Sequence, residues 1–224
     1  MEENKSYSLS ELSSFYDIIL PDTCALSNCL EVCLGRNKDS IEDRVRKSEE
    51  QYKSYSFWKE FIIENPKDNI LLYEGVLGEL NEVKKVKFTR KFKGNHVDNN
   101  FKNLSKNLRY AISRKNNLIK VMENKGLFLT LNEEEQVMCG NFSKAFQYLL
   151  TERNFNLSGV DFSLLMTGMA LSQKRGNVAI ISNDFSILRS WTSALAKKEE
   201  LVDKLDFYTR EESDGFLKRP HAFW

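Results

Sequence analysis

The chain reads as an α/β protein built on a mostly parallel sheet, and three observations predict this. Three short runs, Ile18-Ile19-Leu20, Ile70-Leu71-Leu72 and Val178-Ala179-Ile180-Ile181, are apolar at every position and not at alternate ones. Strands covered on both faces have that pattern, and parallel sheets cover both faces. Longer stretches with helical spacing separate the runs, as crossovers between parallel strands require. The 224 residues suit one large domain, 1–224, or one domain carrying an insertion.

The elements follow in order. Residues 6–15 make a short opening helix or turn, and the first strand ends at Pro21-Asp22. Ala25 to Leu34 suits a short helix closed by Gly35. From Ser40 to about Asn65, Ile41, Val45, Tyr52, Tyr55, Trp58 and Ile62 recur at helical spacing, and Pro66 ends the run. The second strand, at Ile70, leads into a helix from about Tyr73. Residues 97–123 form the plainest amphipathic helix, with Phe101, Leu104, Leu108, Ile112 and Ile119 as its apolar stripe. Gly126 to Leu131 is a strand or an extended connection. Glu133 to Leu150 and Val160 to Lys174 are helices, the second of them buried. A strand at 178–181, a helix from Phe185 to Lys197 and a strand at 205–208 complete the chain.

Composition narrows the class. With 41% hydrophobic and 29% charged residues the chain has enough apolar material for a core, which argues against disorder. No charged leader followed by an apolar run opens it, and no window resembles a membrane span, so the expectation is a cytoplasmic protein. Cys24, Cys29 and Cys33 lack a C-x-x-C pair or a nearby histidine, and read as buried free thiols, not as a metal site.

The net charge of +1 conceals an asymmetry. Lys84 to Lys120 holds twelve Lys and Arg against one acid, Asp98, a local charge of +11 that leaves −10 for the remainder. Within it Lys84, Lys85, Lys87, Arg90, Lys91 and Lys93 crowd around Phe88 and Phe92. Such a segment suits phosphates, with aromatics for unpaired bases; the bland alternative is a solvated helix face.

In parallel α/β folds, sites lie beyond the carboxyl ends of the strands. Asp22 follows the first strand and Asp184 follows the strand at 178–181, and either would equally serve as a helix N-cap. Glu79 lies at the edge of the apolar face of its helix. Asp161 opens an almost wholly apolar helix and has the S-x-x-D spacing of a capping box from Ser158. Four acids at one sheet edge repel one another, and a divalent cation, Mg²⁺ or Mn²⁺, relieves that repulsion. Either ion also lowers the pKa of bound water, so the chemistry to expect is phosphodiester hydrolysis.

Ile18-Ile19-Leu20-Pro21-Asp22-Thr23 resembles the opening strand and first acid of PIN-domain nucleases. Val76-Leu77-Gly78-Glu79-Leu80 is similar to their second acidic motif. Asp161 with Leu164, Met169 and Ala170 is similar to the third, and Val178 through Phe185 to the fourth. Ser186 stands where many members carry a further aspartate, and the stretch at about 87–150, which has no counterpart in the family's small toxin forms, reads on this resemblance as a basic helical insertion. The resemblance implies a three-layer α/β/α fold and an endoribonuclease holding Mg²⁺ or Mn²⁺ through Asp22, Glu79, Asp161 and Asp184, with Thr23 and Ser182 as supporting hydroxyls. It also leaves open a catalytically inactive PIN-like module that binds RNA or a protein partner, and a toxin with an antitoxin-like partner. A haloacid-dehalogenase-type phosphatase would need a second aspartate two places after Asp22, where Cys24 stands.

Overall fold

A computed structural model of the chain describes residues 6–27, 40–82, 99–151, 157–197, 204–210 and 217–218. The basic segment at 84–93 lies outside them. Fourteen elements follow in order among the described residues: β1 (Ser6–Tyr7), α1 (Leu9–Phe15), β2 (Ile18–Pro21), α2 (Thr23–Ser27), α3 (Ile41–Glu64), α4 (Glu74–Glu82), α5 (Asn99–Asn124), α6 (Glu133–Ala145), α7 (Tyr148–Thr151), α8 (Gly159–Lys174), β3 (Val178–Ile181), α9 (Phe185–Lys197), β4 (Leu205–Arg210) and β5 (Leu217–Lys218). No helix among the described residues is long and apolar enough to cross a membrane.

The sheet order is β1-β5-β4-β3-β2. β2, β3 and β4 are parallel, with Ile18 opposite Val178 and Val178 opposite Leu205. β5 runs antiparallel to β4 and β1. Beyond β2 the parallel ladder continues through single bridges, Ile19 to Ile70 and Leu72 to Phe128. The amides of Ile19 and Leu71 bond the carbonyls of Asn69 and Ile19, so the segment at 70–72 lies in register without forming a full strand. Asn69 fixes it there: its amide donates to the carbonyls of Ser13 and Tyr16 while its oxygen accepts from Ser13.

Every residue of β2 and β3 is buried, as unbroken apolar runs require. α8 lies directly on the sheet, because Gly168 leaves no room for even a Cβ against Ile180 and Leu205. On the same side Trp191 of α9 stacks on Phe207, ring centroids 5.5 Å apart. The alternate positions of β4 face elsewhere: Asp206 and Tyr208 meet the Tyr16 hydroxyl at 2.6 and 2.8 Å.

α3 supports the first turn after β2. Ser54 and Trp58 donate to the carbonyls of Leu26 and Ala25, satisfying the end of the short α2. α5 packs along α3, and its buried face is Leu104, Leu108, Ala111, Lys115, Leu118 and Met122. This corrects the expected stripe, since Ile112 and Ile119 are only half-buried. The face is rotated toward α3 and α4 because Lys115 turns inward, its Nζ 2.7 Å from the carbonyl of Leu80. The expected helix from Glu133 to Leu150 is likewise two helices. Phe146 leaves helical geometry (φ −111°, ψ 13°), and its ring is buried in the core.

Candidate active site

Asp22 stands where β2 ends, and its amide donates to the carbonyl of Ile181 at the end of β3. That bond brings the carboxyl ends of the two central strands together, so the residues following each strand share one edge. The side chain of Asp22 is 1% exposed. Its Oδ1 accepts the Thr23 amide at 2.5 Å, and its Oδ2 accepts the Ser182 hydroxyl at 2.9 Å and the Cys24 thiol at 2.7 Å.

Two hydroxyls carry this contact to two further acids. Thr23 Oγ1 donates to Glu79 Oε2 at 2.5 Å, drawing the α4 glutamate toward the turn after β2. Glu74 and Glu82 on the same helix are exposed. Ser182 Oγ accepts the Asp184 amide at 3.0 Å while donating to Asp22. A continuous set of hydrogen bonds therefore runs from Glu79 through Thr23, Asp22 and Ser182 to the backbone of Asp184. Thr23 and Ser182 supply the two hydroxyls in that path.

Asp161 joins this group through charge. It is the third residue of α8, where it closes a capping box with Ser158: the Ser158 hydroxyl accepts the Asp161 amide at 3.1 Å, and Asp161 Oδ2 accepts the Ser158 amide at 3.3 Å. From there its charge reaches Asp22 and Glu79, and the charge of Asp184 reaches it. Burial, and then the charge of Asp161, raise Asp22 from 3.8 to about 7 against the lowering effect of its three donors. Burial also raises Glu79, where Thr23 opposes the shift and Asp161 adds to it. Asp161 rises by burial, with Ser158 opposing and Asp184 contributing. Asp184 caps α9, its Oδ1 accepting the Ser186 amide at 2.7 Å. For Asp161 and Asp184 the capping reading is thus correct, and it coexists with membership of the acid cluster.

No lysine or arginine ion pair reaches any of the four acids among the described residues. Hard oxygen donors in a buried cluster of like charge have the chemistry that suits Mg²⁺ or Mn²⁺. As the side chains stand, however, no three His, Cys, Asp or Glu among the described residues form a group that could hold a metal ion. The acids are coupled electrostatically but are not gathered into one coordination shell.

Two neighbours escaped the sequence reading as site residues. Cys24 belongs to the site, while Cys29 and Cys33 lie outside the described residues: Cys24 donates to Asp22, lies 3.3 Å from Ser182 Oγ and accepts the Asn183 amide. Burial and the adjacent Asp22 hold it well above the usual thiol range, so it serves as a donor and not as a thiolate. Its place two residues beyond a strand-end acid is the signal that would have found it. Phe185, next to Asp184, is 63% exposed. An apolar residue at the start of a helix beyond a strand end is its only mark in the sequence.

No family model matches this chain, and comparison with curated proteins and with solved structures finds no match.

Proposed function

We propose that this chain is a metal-dependent endoribonuclease of PIN-like, three-layer design, hydrolysing RNA phosphodiester bonds at the edge formed by Asp22, Glu79, Asp161 and Asp184. The observation that carries this reading is the hydrogen-bonded path from Glu79 to Asp184 through Asp22, flanked by Asp161, with no ion-paired lysine or arginine on these acids among the described residues. Burying several carboxylates near one another is unfavourable unless a positive group joins them.

A bound Mg²⁺ or Mn²⁺ would supply that charge and acidify a water beside a phosphate. Mg²⁺ keeps several of its waters and binds through one or two carboxylates plus phosphate oxygens. Asp22 and Asp184 would hold the ion, with Glu79 and Asp161 completing the site directly or through water. Ser182 and Cys24 fix Oδ2 of Asp22, and Thr23 fixes Glu79, so each carboxylate is oriented before substrate arrives. One of these carboxylates would take the proton of the attacking water, and no single one is assigned as the base.

The absence of a closed metal-binding group among the described residues favours a second reading, an inactive PIN-like module that binds RNA or a protein partner. Incubation of a labelled RNA with the chain in Mn²⁺, with and without EDTA, separates the two. Cleavage that EDTA stops and that Asp22→Asn and Asp161→Asn abolish is the expected result. Cleavage undiminished in Asp22→Asn would end the nuclease reading, and none by the parent chain would favour the binding module.

A further inference from the structure

We propose that the exposed face of α5 bearing Lys102, Lys106, Arg109 and Lys120 binds the phosphate backbone of a nucleic-acid strand. At 100° per residue these four cations fall within roughly 60° of arc, and at 1.5 Å per residue they extend about 27 Å along the helix. Ser113, Asn116 and Asn117 fill the same face, and all seven residues are exposed. A stacked strand rising 3.4 Å per nucleotide presents about eight phosphates over that length.

The stripe is not an ordinary solvated helix face, as its neighbour α3 makes clear. There Arg46 pairs with Glu50 at 3.0 Å and Lys53 with Glu49 at 2.7 Å, each four residues apart. Such pairs are the usual company of exposed helical cations. α5 forms none with its stripe: its one acid, Glu123, lies three residues after Lys120 and makes no ion pair with it. No ion pair from any other element reaches Lys102, Lys106, Arg109 or Lys120 among the described residues. The field of four cations in line is therefore left for a polyanion.

Two further features favour nucleic acid over an acidic protein. Tyr110 flanks the stripe, 48% exposed, with Lys106 Nζ 5.8 Å from its ring centre. An aromatic face beside a cation is a stacking place for a base. The amides and hydroxyl between the cations suit phosphate and sugar oxygens. From the opposite face, Lys115 holds the carbonyl next to Glu79, which ties the helix bearing the stripe to the helix bearing a candidate site acid. The inference itself rests on charge and exposure, and it stands whether or not the carboxylates hydrolyse RNA.

The test is fluorescence anisotropy of the full chain with a labelled 20-nucleotide RNA in EDTA, titrated from 50 to 200 mM KCl. Four phosphate contacts on a single strand give a log–log salt slope of roughly −2.8, or about a 50-fold loss of affinity over that range. Replacing all four cations by glutamine (K102Q, K106Q, R109Q, K120Q) should flatten the slope by nearly that amount, with helical circular dichroism unchanged. Arg114→Gln, an exposed charge on α5 outside the stripe, should leave the slope nearly as it was. The charge-retaining set K102R, K106R, K120R should bind as the parent does. An unchanged slope in the fourfold glutamine variant, or lost binding in the arginine set, overturns the proposal. So does charge-dependent binding to polyglutamate or phosphatidylserine vesicles without binding to RNA.

Discussion

Replacing Asp22 by asparagine tests the electrostatics of the site without assuming any reaction. Asp22 has an ordinary carboxyl pKa when unfolded and one near 7 when folded, raised by burial and by Asp161. Between about 3.8 and 7 the folded chain therefore holds a proton there that the unfolded chain has released. Stability must fall as pH rises through that window. A shift of about three pH units corresponds to about 4 kcal/mol of destabilisation fully present above pH 7 and absent below 4. Asparagine removes the charge but weakens the contacts that Oδ2 makes with Ser182 and Cys24, worth about 1 kcal/mol each. The net gain is on the order of 2 kcal/mol, or about 4–8 °C for a chain of this size. Thermal melts followed by circular dichroism in EDTA should show Asp22→Asn melting above the parent at pH 8, with the difference shrinking toward pH 5. An asparagine variant that melts below the parent at pH 8, or a difference that does not vary with pH, would refute the placing of an unneutralised carboxylate at this position. Mg²⁺ or Mn²⁺ at pH 8 should raise the melting temperature of the parent and not of the variant.

Three other substitutions read different parts of the molecule. Thr23→Val removes the hydroxyl that holds Glu79 and should lower metal-dependent cleavage about tenfold, with Thr23→Ser restoring it; equal rates in all three would show that Glu79 needs no such anchor. Arg175→Ala strips Glu135, 1% exposed, of a two-pronged partner at 2.6 Å on each arm. The cost should be roughly 2–4 kcal/mol by urea unfolding, toward the low side because the Arg175 side chain is 34% exposed. Arg175 lowers the pKa of Glu135, so the parent's advantage is present above the usual glutamate value and fades as pH falls through the folded one. Gly176→Ala should destabilise by about 1–3 kcal/mol in the same assay, because its φ of +113° disfavours a side chain and a Cβ there would displace the Asp17 carboxylate from the Asn177 amide.

The central strands β2 and β3 were legible because unbroken apolar runs such as Val178–Ile181 have few alternatives to a doubly covered strand. Capping at Ser158 and at Asp184 was legible for a similar reason: a cap is satisfied within three residues, so local sequence specifies it. Other features depended on distant neighbours. The inward face of α5 was misjudged at Ile112 and Ile119 because Lys115, a residue that sequence places in water, is 3% exposed and spends its charge on the α4 carbonyl end. β1, inside the stretch expected to be an opening helix or turn, and β5 were both missed because a two-residue strand has no periodicity to detect.

The candidate site divides along the same line. The amino-acid sequence by itself determined that Asp22 and Asp184 follow strands and that Asp161 begins a buried helix, because those placements need only local pattern. Only the tertiary structure decided that Thr23 reaches across to Glu79, that Cys24 and Ser182 both grip Asp22, and that Asp161 is near enough to raise the pKa of two other acids. The physical reason is that hydrogen bonds and charge coupling depend on distance in space. Residues 56 and 160 positions apart come within 2.5 and 2.9 Å only because β2, β3 and α4 pack as they do.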